Sequence, residues 1–201
     1  LLVYGMKGLG LFDLTPLDAS KTRWRLGAGE LAIASLNTHD RCGMDRDGAT
    51  IAVPEKDDTA TIYHRRESGA TSVTTPKHAD VWSAEVSPDG RWVVLGSHNN
   101  GTVALYSATD GAYVRELSSE AGEGRFSPDG RWLAVQRLDR TCDLFWVDGW
   151  KLVGQLAGQP AAFSHDGELI AVSSGISGIA FWQTSDLREI GRLEIQDQVP
   201  V

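Results

Sequence analysis

Ser87-Pro88-Asp89-Gly90-Arg91-Trp92 decides the reading of this chain, because it returns as Ser127-Pro128-Asp129-Gly130-Arg131-Trp132. A weakened copy stands at Ser164-His165-Asp166-Gly167-Glu168-Leu169, and a more diverged one at Asp45-Arg46-Asp47-Gly48-Ala49-Thr50. The glycines Gly48, Gly90, Gly130 and Gly167 lie 42, 40 and 37 residues apart. An aromatic residue closes a strand-like run in phase with them at Tyr63, Tyr106, Trp146 and Trp182, at intervals of 43, 40 and 36. Two unrelated features that drift together indicate one repeated structural unit.

Outward from the quoted turn, the clearest copy resolves into four short strands. Val81 to Val86 is an apolar run ending in the turn Ser87 to Gly90, and Trp92 to Gly96 is a second run ending in His98-Asn99-Asn100-Gly101. Thr102 to Tyr106 is a third, and Tyr113 to Leu117 follows the turn Thr109-Asp110-Gly111. Pro-Asp-Gly, Asn-Gly and Asp-Gly supply the positive backbone angles that tight hairpins need, while Val, Leu, Trp and Tyr fill the strands. No stretch keeps a 3.6-residue apolar period, so almost no helix is expected.

This pattern resembles the WD-repeat β-propeller family over nearly the whole chain. The matching motifs are the Ser-Pro-Asp-Gly turn, a small apolar second strand and a third strand ending in an aromatic. Asn100-Gly101-Thr102-Val103-Ala104-Leu105-Tyr106 fits the strand that leads to the family's Trp-Asp pair, with Tyr106-Ser107 in its place. Trp146-Val147 and Trp182-Gln183 keep the Trp, and Phe12-Asp13 keeps the Asp. The resemblance implies an all-β propeller of four-stranded antiparallel blades. Blades are expected at about 1–27 (partial, lacking its innermost strand), 38–77, 80–118, 122–157 and 160–195, forming an open partial ring. The partial blade is expected to use Leu1 to Gly5, Leu9 to Asp13 and Thr22 to Leu26 as its strands. Copies this divergent are similar to those of large bacterial multidomain proteins, so a fragment of a longer chain is expected; a five-blade ring closed by residues 197–201 is the alternative.

The resemblance also implies a buried His-Ser/Thr-Asp-Trp network inside each blade. His78 is the one match for its histidine, Arg140 and Ile176 stand where its turn Asp would be, and Asp57 and Asn100 are the residues left for that role. Cohesion is therefore expected to rest on apolar packing more than on the network.

The whole chain has 201 residues, of which 41% are hydrophobic and 23% charged, an ordinary globular composition. Nineteen basic against 27 acidic residues give a net charge of −8, which argues against nucleic acid and anionic membranes as partners. Cys42 and Cys142, 100 positions apart and without metal-ligand spacing, read as reduced buried thiols, which suits a cytoplasmic setting. The start, Leu1 to Gly5, does not read as a signal peptide.

Candidate sites are few. Gly5-Met6-Lys7-Gly8-Leu9-Gly10 joins strand to strand, whereas a phosphate loop opens a helix. His39-Asp40 and His165-Asp166 are neighbours on strands or turns, where adjacent side chains diverge. Trp82, Trp146 and Trp182 read as blade-packing residues. No catalytic, cofactor-binding or metal-ligating set is found. The turns between second and third strands remain: Lys56-Asp57-Asp58, His98-Asn99-Asn100, Asp139-Arg140 and Ser174-Gly175, varied and polar. They define a candidate partner-binding rim of Arg140, Asp139, His98, Asn99, Lys56 and Asp57, with Arg140 flanked by His98 and Asn99. Gly27 to Thr38, rich in Leu31, Ala32, Ile33 and Leu36, reads as a partner-binding insertion or as a loop packed on its own blade.

The function implied is that of a non-catalytic scaffold for protein or peptide partners, with self-association through open blade edges. A regulatory arm of a larger enzyme, such as a bacterial serine/threonine kinase, is the alternative. A channel-lined enzyme would want convergent acids or His on the innermost strands. The equivalent positions there, Gly43, Glu85, Arg125 and Ala162, are too mixed, although Glu85 and Arg125 are expected to be neighbours.

Overall fold

The computed structural model describes residues 2–5, 8–11, 14–18, 20, 24–26, 30–34, 41–66, 69–173 and 178–194. Met6-Lys7, Phe12-Asp13, His39-Asp40, Ser174-Gly175 and Ile176 lie outside them. The chain divides into a unit at Leu1–Thr38 and a larger one at His39–Val201. No helix occurs among the described residues.

In the first unit β1 (Leu2–Gly5) pairs antiparallel with β2 (Gly8–Leu11). This is the hairpin expected of Gly5-Met6-Lys7-Gly8. The expected neighbour of β2, Thr22 to Leu26, is elsewhere: β3 (Leu14–Pro16) pairs with β4 (Trp24–Leu26) as a separate ribbon. The strand beside β2 is β5 (Glu30–Ala34), with Leu9 opposite Ile33 and Gly10 opposite Leu31. Leu31-Ala32-Ile33 offers a β-apt apolar run, whereas Thr22-Arg23-Trp24-Arg25 is interrupted by charge. The apolar part of Gly27 to Thr38 is thus a strand of this sheet.

The second unit is four four-stranded antiparallel sheets, one after another. The first holds β6 (Gly43–Met44), β7 (Thr50–Pro54), β8 (Ala60–Arg66) and β9 (Gly69–Thr74). The second holds β10 (Val81–Val86), β11 (Trp92–Ser97), β12 (Val103–Ser107) and β13 (Tyr113–Ser118). The third holds β14 (Gly124–Phe126), β15 (Trp132–Gln136), β16 (Thr141–Trp146) and β17 (Lys151–Ala157). The fourth holds β18 (Gln159–Phe163), β19 (Leu169–Ser173), β20 (Gly178–Gln183) and β21 (Arg188–Glu194). Each sheet is a simple meander, the order of an all-β propeller blade.

The repeated turn is held by the residues that repeat. Ser87 Oγ donates to Asp89 Oδ1 at 2.6 Å and accepts from Trp92 N–H at 3.0 Å, and Gly90 takes φ 71°. Ser127 and Ser164 make the same pair of bonds with Asp129 and Trp132 and with Asp166 and Leu169. In the first blade, the carboxylate of Asp45 stands in for the serine and accepts from the N–H groups of Ala49 and Thr50 at 2.8 and 3.1 Å. Left-handed backbone at this position selects glycine in all four copies.

The middle strands are apolar without interruption because both of their faces are covered. Val93, Leu95, Ala104 and Tyr106 pack towards the first blade with Ala52 and Ile62. Their sequence neighbours Val94, Val103 and Leu105 pack towards the third blade with Phe126, Leu133, Val135 and Phe145. Trp132, Ala134 and Leu144 repeat the pattern against Ile170, Val172 and Ala180. Three cores thus lie one between each successive pair of blades. Full burial of a side chain such as Leu133 stabilises by about 1.5–3 kcal/mol.

Cys142 is buried and Cys42 half-buried, and both are free thiols. Burial pushes the Cys142 thiol up to about 12. Cys42, expected to be buried, is only partly so because it precedes β6, where the innermost strand has barely begun.

Candidate functional site

A meander puts its turns at alternating ends. The turns joining second to third strands share one end of each blade with the connectors between blades, and the repeated Ser-Pro-Asp-Gly turns lie at the other. The candidate rim of Lys56, Asp57, His98, Asn99, Asp139 and Arg140 therefore belongs to the first end, and all six residues are exposed.

Within that end the structure gathers some of these residues and not others. Asp57 and Asp139 cap their own turns: each Oδ1 accepts from the hydroxyl two residues on, Thr59 or Thr141, at 2.6 Å, and from the N–H of the same residue. Those bonds hold both carboxyls below the usual range. Their carboxylates are occupied by the turn. Arg140 follows with left-handed backbone, φ 64°, and its carbonyl accepts from Gly158 N–H at 3.0 Å. The hydrogen bonds of the Asp139-Arg140 turn stay within the third blade and its connector.

The Lys56-Asp57-Asp58 turn and the His98-Asn99-Asn100 turn are joined, through a residue the sequence reading passes over. Asp80 lies in the connector between the first and second blades with φ 55°. Its N–H donates to Asp58 Oδ1 at 3.0 Å, and its Oδ2 accepts from the N–H groups of Asn99 and Asn100 at 2.7 and 3.0 Å. These bonds lower the Asp80 pKa. The available signal was an Asp two residues after the connector histidine.

His78 itself builds the network more fully than expected. Its Nε2 lies 3.0 Å from both the Thr102 carbonyl and Ser97 Oγ, and its Nδ1 lies 3.0 Å from the Tyr106 hydroxyl. A carbonyl can only accept, so Nε2 carries the proton and Nδ1 accepts from Tyr106. Burial lowers the His78 pKa, keeping this neutral tautomer, and raises Tyr106 to about 12. Tyr106 thus serves where the family has Trp. Cohesion of the second blade rests on polar bonds as well as apolar packing.

Trp82 departs from its expected packing role. The ladder between β10 and β11 shifts register between Val81 and Ser83, leaving Trp82 in a bulge. A bulge re-aims its side chain, and the indole stacks on His98 with centroids 4.9 Å apart and planes 20° from parallel. The Arg41 guanidinium lies over the same ring at 5.1 Å and bonds Glu123 Oε2 at 2.6 Å. Arg41, Trp82, His98 and Glu123 thus form one patch across three blades. Trp146 and Trp182, in contrast, pack against the core between the third and fourth blades, as expected.

Further along the innermost strands, the Glu85 carboxylate accepts from Phe126 N–H and feels the charge of Arg125, as the sequence anticipates. Burial nevertheless wins and pushes its pKa up to about 7. Gly43 is required where it stands, because a Cβ would meet the Ala84 carbonyl at 2.6 Å. Among the described residues no helix is long and apolar enough to cross a membrane.

Residues 70–107 match the family model of the WD domain, G-beta repeat. The matched stretch begins in β9 and ends with β12, so it joins the outer strand of one blade to the three inner strands of the next. A search of curated proteins finds no match. The repeated turn, the four-stranded meanders and the His78–Ser97–Tyr106 network agree with that match, which identifies residues 70–107 as a WD repeat.

Proposed function

We propose that the chain is a non-catalytic interaction module that docks a protein or peptide partner on the end of its blades bearing Arg41, Trp82 and His98. WD repeats typically mediate protein–protein interaction, which supports the class of function. The observation that carries the reading is the patch itself. A half-buried indole, an imidazole stacked on it and a guanidinium 57% exposed on its side chain sit together on a net acidic protein. Aromatic and arginine side chains concentrate binding energy at interfaces. Their positions are fixed before any partner arrives, Arg41 by Glu123 and the His98 turn by Asp80, which lowers the entropy lost on binding. Asn99 and Lys56, on turns linked through Asp80 and Asp58, widen the patch, and Asp57 and Asp139 shape its turns. Arg140 adds a separate cation on the third blade.

The test is quantitative affinity capture from a native extract by the immobilised chain, compared with Arg41→Ala, His98→Ala and Arg140→Glu. Partners recovered by the parent and lost with Arg41→Ala or His98→Ala place docking at this patch. Equal recovery by all variants removes this end of the blades from consideration.

A further inference from the structure

We propose that the opposite end of the blades carries a second binding site, a cleft between the second and third blades that takes a peptide segment with a carboxylate side chain next to an apolar one. This goes beyond the patch above, shares none of its residues, and stands or falls separately.

The cleft has a volume of about 460 Å³ and is lined by Arg46, Arg91, Trp92, Arg131, Trp146 and Trp150, among others. Its floor is built from indoles. Trp92 meets Trp150 edge-to-face at 5.5 Å, and Trp150 meets Phe126 at 6.3 Å. Trp150 holds left-handed backbone at φ 54°, an outlier for so bulky a residue. Gly111 and Leu187 take the same backbone at the matching turns of the neighbouring blades, so the turn is common to the repeat and the indole is particular to the third blade. Trp92 and Trp150 remain half-buried where they line the cleft.

The cations are held unequally. Arg131 is held at two points: its Nε bonds Asp129, and its Nη2 donates to the Asp166 carbonyl at 2.7 Å. Arg91 is oriented but not consumed. Its Nε bonds Asp89 Oδ2 at 2.5 Å, while among the described residues its two Nη groups have no partner. Arg46 crosses from the first blade to bond the Pro128 carbonyl through Nη2 alone. A guanidinium fixed through Nε with its Nη pair free is shaped for a carboxylate.

Charge selects among anions. The cleft's three arginines are matched by Asp89, Asp129 and Asp148, so its walls sum to neutral. A single carboxylate beside Arg91 suits that balance, and a doubly charged phosphate does not. Asp148 lines the cleft, where its carboxylate can accept a peptide N–H. The indole faces then take the adjacent apolar side chain.

A phage-displayed library of random peptides, panned on the folded chain, tests the proposal, with selected sequences remade as synthetic peptides and titrated by tryptophan fluorescence. Support is enrichment of Asp or Glu adjacent to an aliphatic or aromatic residue, with binding weakened at least tenfold by Arg91→Glu and unchanged by Arg41→Ala. Arg91 is 72% exposed on its side chain, so the reversal leaves the fold intact, which circular dichroism verifies. No enrichment over a blank surface overturns the proposal, as does binding indifferent to Arg91→Glu. Peptides lost with Arg41→Ala instead belong to the patch of the proposed function. A phosphoserine replacement that binds tenfold tighter than the selected Glu or Asp overturns the preference for a carboxylate.

Discussion

Replacing Glu85 by Gln should make the protein more stable at neutral and alkaline pH and leave it unchanged in acid. Glu85 lies on β10 against β14, where its carboxylate accepts from Phe126 N–H and feels both the attraction of Arg125 and the repulsion of Glu123. Desolvation outweighs the two favourable contacts and lifts the pKa from 4.5 to about 7. Between these values the folded chain keeps a proton that the unfolded chain has lost. Stability therefore falls as pH rises through this window. Each tenfold change in proton affinity is worth about 1.4 kcal/mol, so the ionised carboxylate costs the fold about 3 kcal/mol above pH 7. Glutamine keeps an oxygen for Phe126 N–H and removes the charge. Urea denaturation of parent and Glu85→Gln at a series of pH values gives a difference curve in which other titrations cancel. That difference should be near zero at pH 4 and climb towards about 3 kcal/mol by pH 8. A difference that stays flat from pH 4 to pH 8 would refute the reasoning.

Further outcomes follow from the buried network and the close contacts. His78→Ala leaves the buried Tyr106 hydroxyl without its partner and removes one of the two donors of the Thr102 carbonyl, which keeps Ser97 Oγ, and should cost about 2 kcal/mol in urea denaturation. Tyr106→Phe, which deletes one bond and keeps the ring, should cost about 1 kcal/mol. Gly122→Ala would place a Cβ 2.0 Å from the Gln136 carbonyl oxygen, and because backbone cannot give way, a loss of about 2 kcal/mol or more is expected in the same assay. In the native protein Cys42 should react with a thiol reagent well before Cys142, whose thiol is buried and pushed up to about 12, and denaturation should release two thiols without reductant.

The parts of the fold that could be read from the sequence are those whose chemistry is local. A left-handed glycine, a serine that bonds the next strand and an aspartate that bonds the serine must occur together, so Ser87 to Trp92 and its copies announce themselves. Even the diverged copy at Asp45 keeps the logic, with a carboxylate in the hydroxyl's place. Pairing in the first unit was less legible. Trp24–Leu26 and Glu30–Ala34 are both short and β-apt, and which of them joins β2 is decided by tertiary fit.

The two candidate surfaces were hidden for different reasons. Trp82 occupies the position of a packing residue, and only the bulge between Val81 and Ser83, a property of the β10–β11 ladder, turns it towards His98. The cleft is hidden by the repeat itself. Arg91 and Arg131 are members of the same motif, make the same Nε bond to their own turn's aspartate, and read as equivalent. Their fates separate only through the next blade: Asp166 supplies a carbonyl to Arg131, whereas Arg91 lines the cleft together with Trp92 and Trp150. A repeat makes each blade's scaffold uniform, so recognition must come from what differs between neighbours. Here the difference is the side chain at one left-handed turn position, Trp150 in the third blade where its neighbours have Gly111 and Leu187.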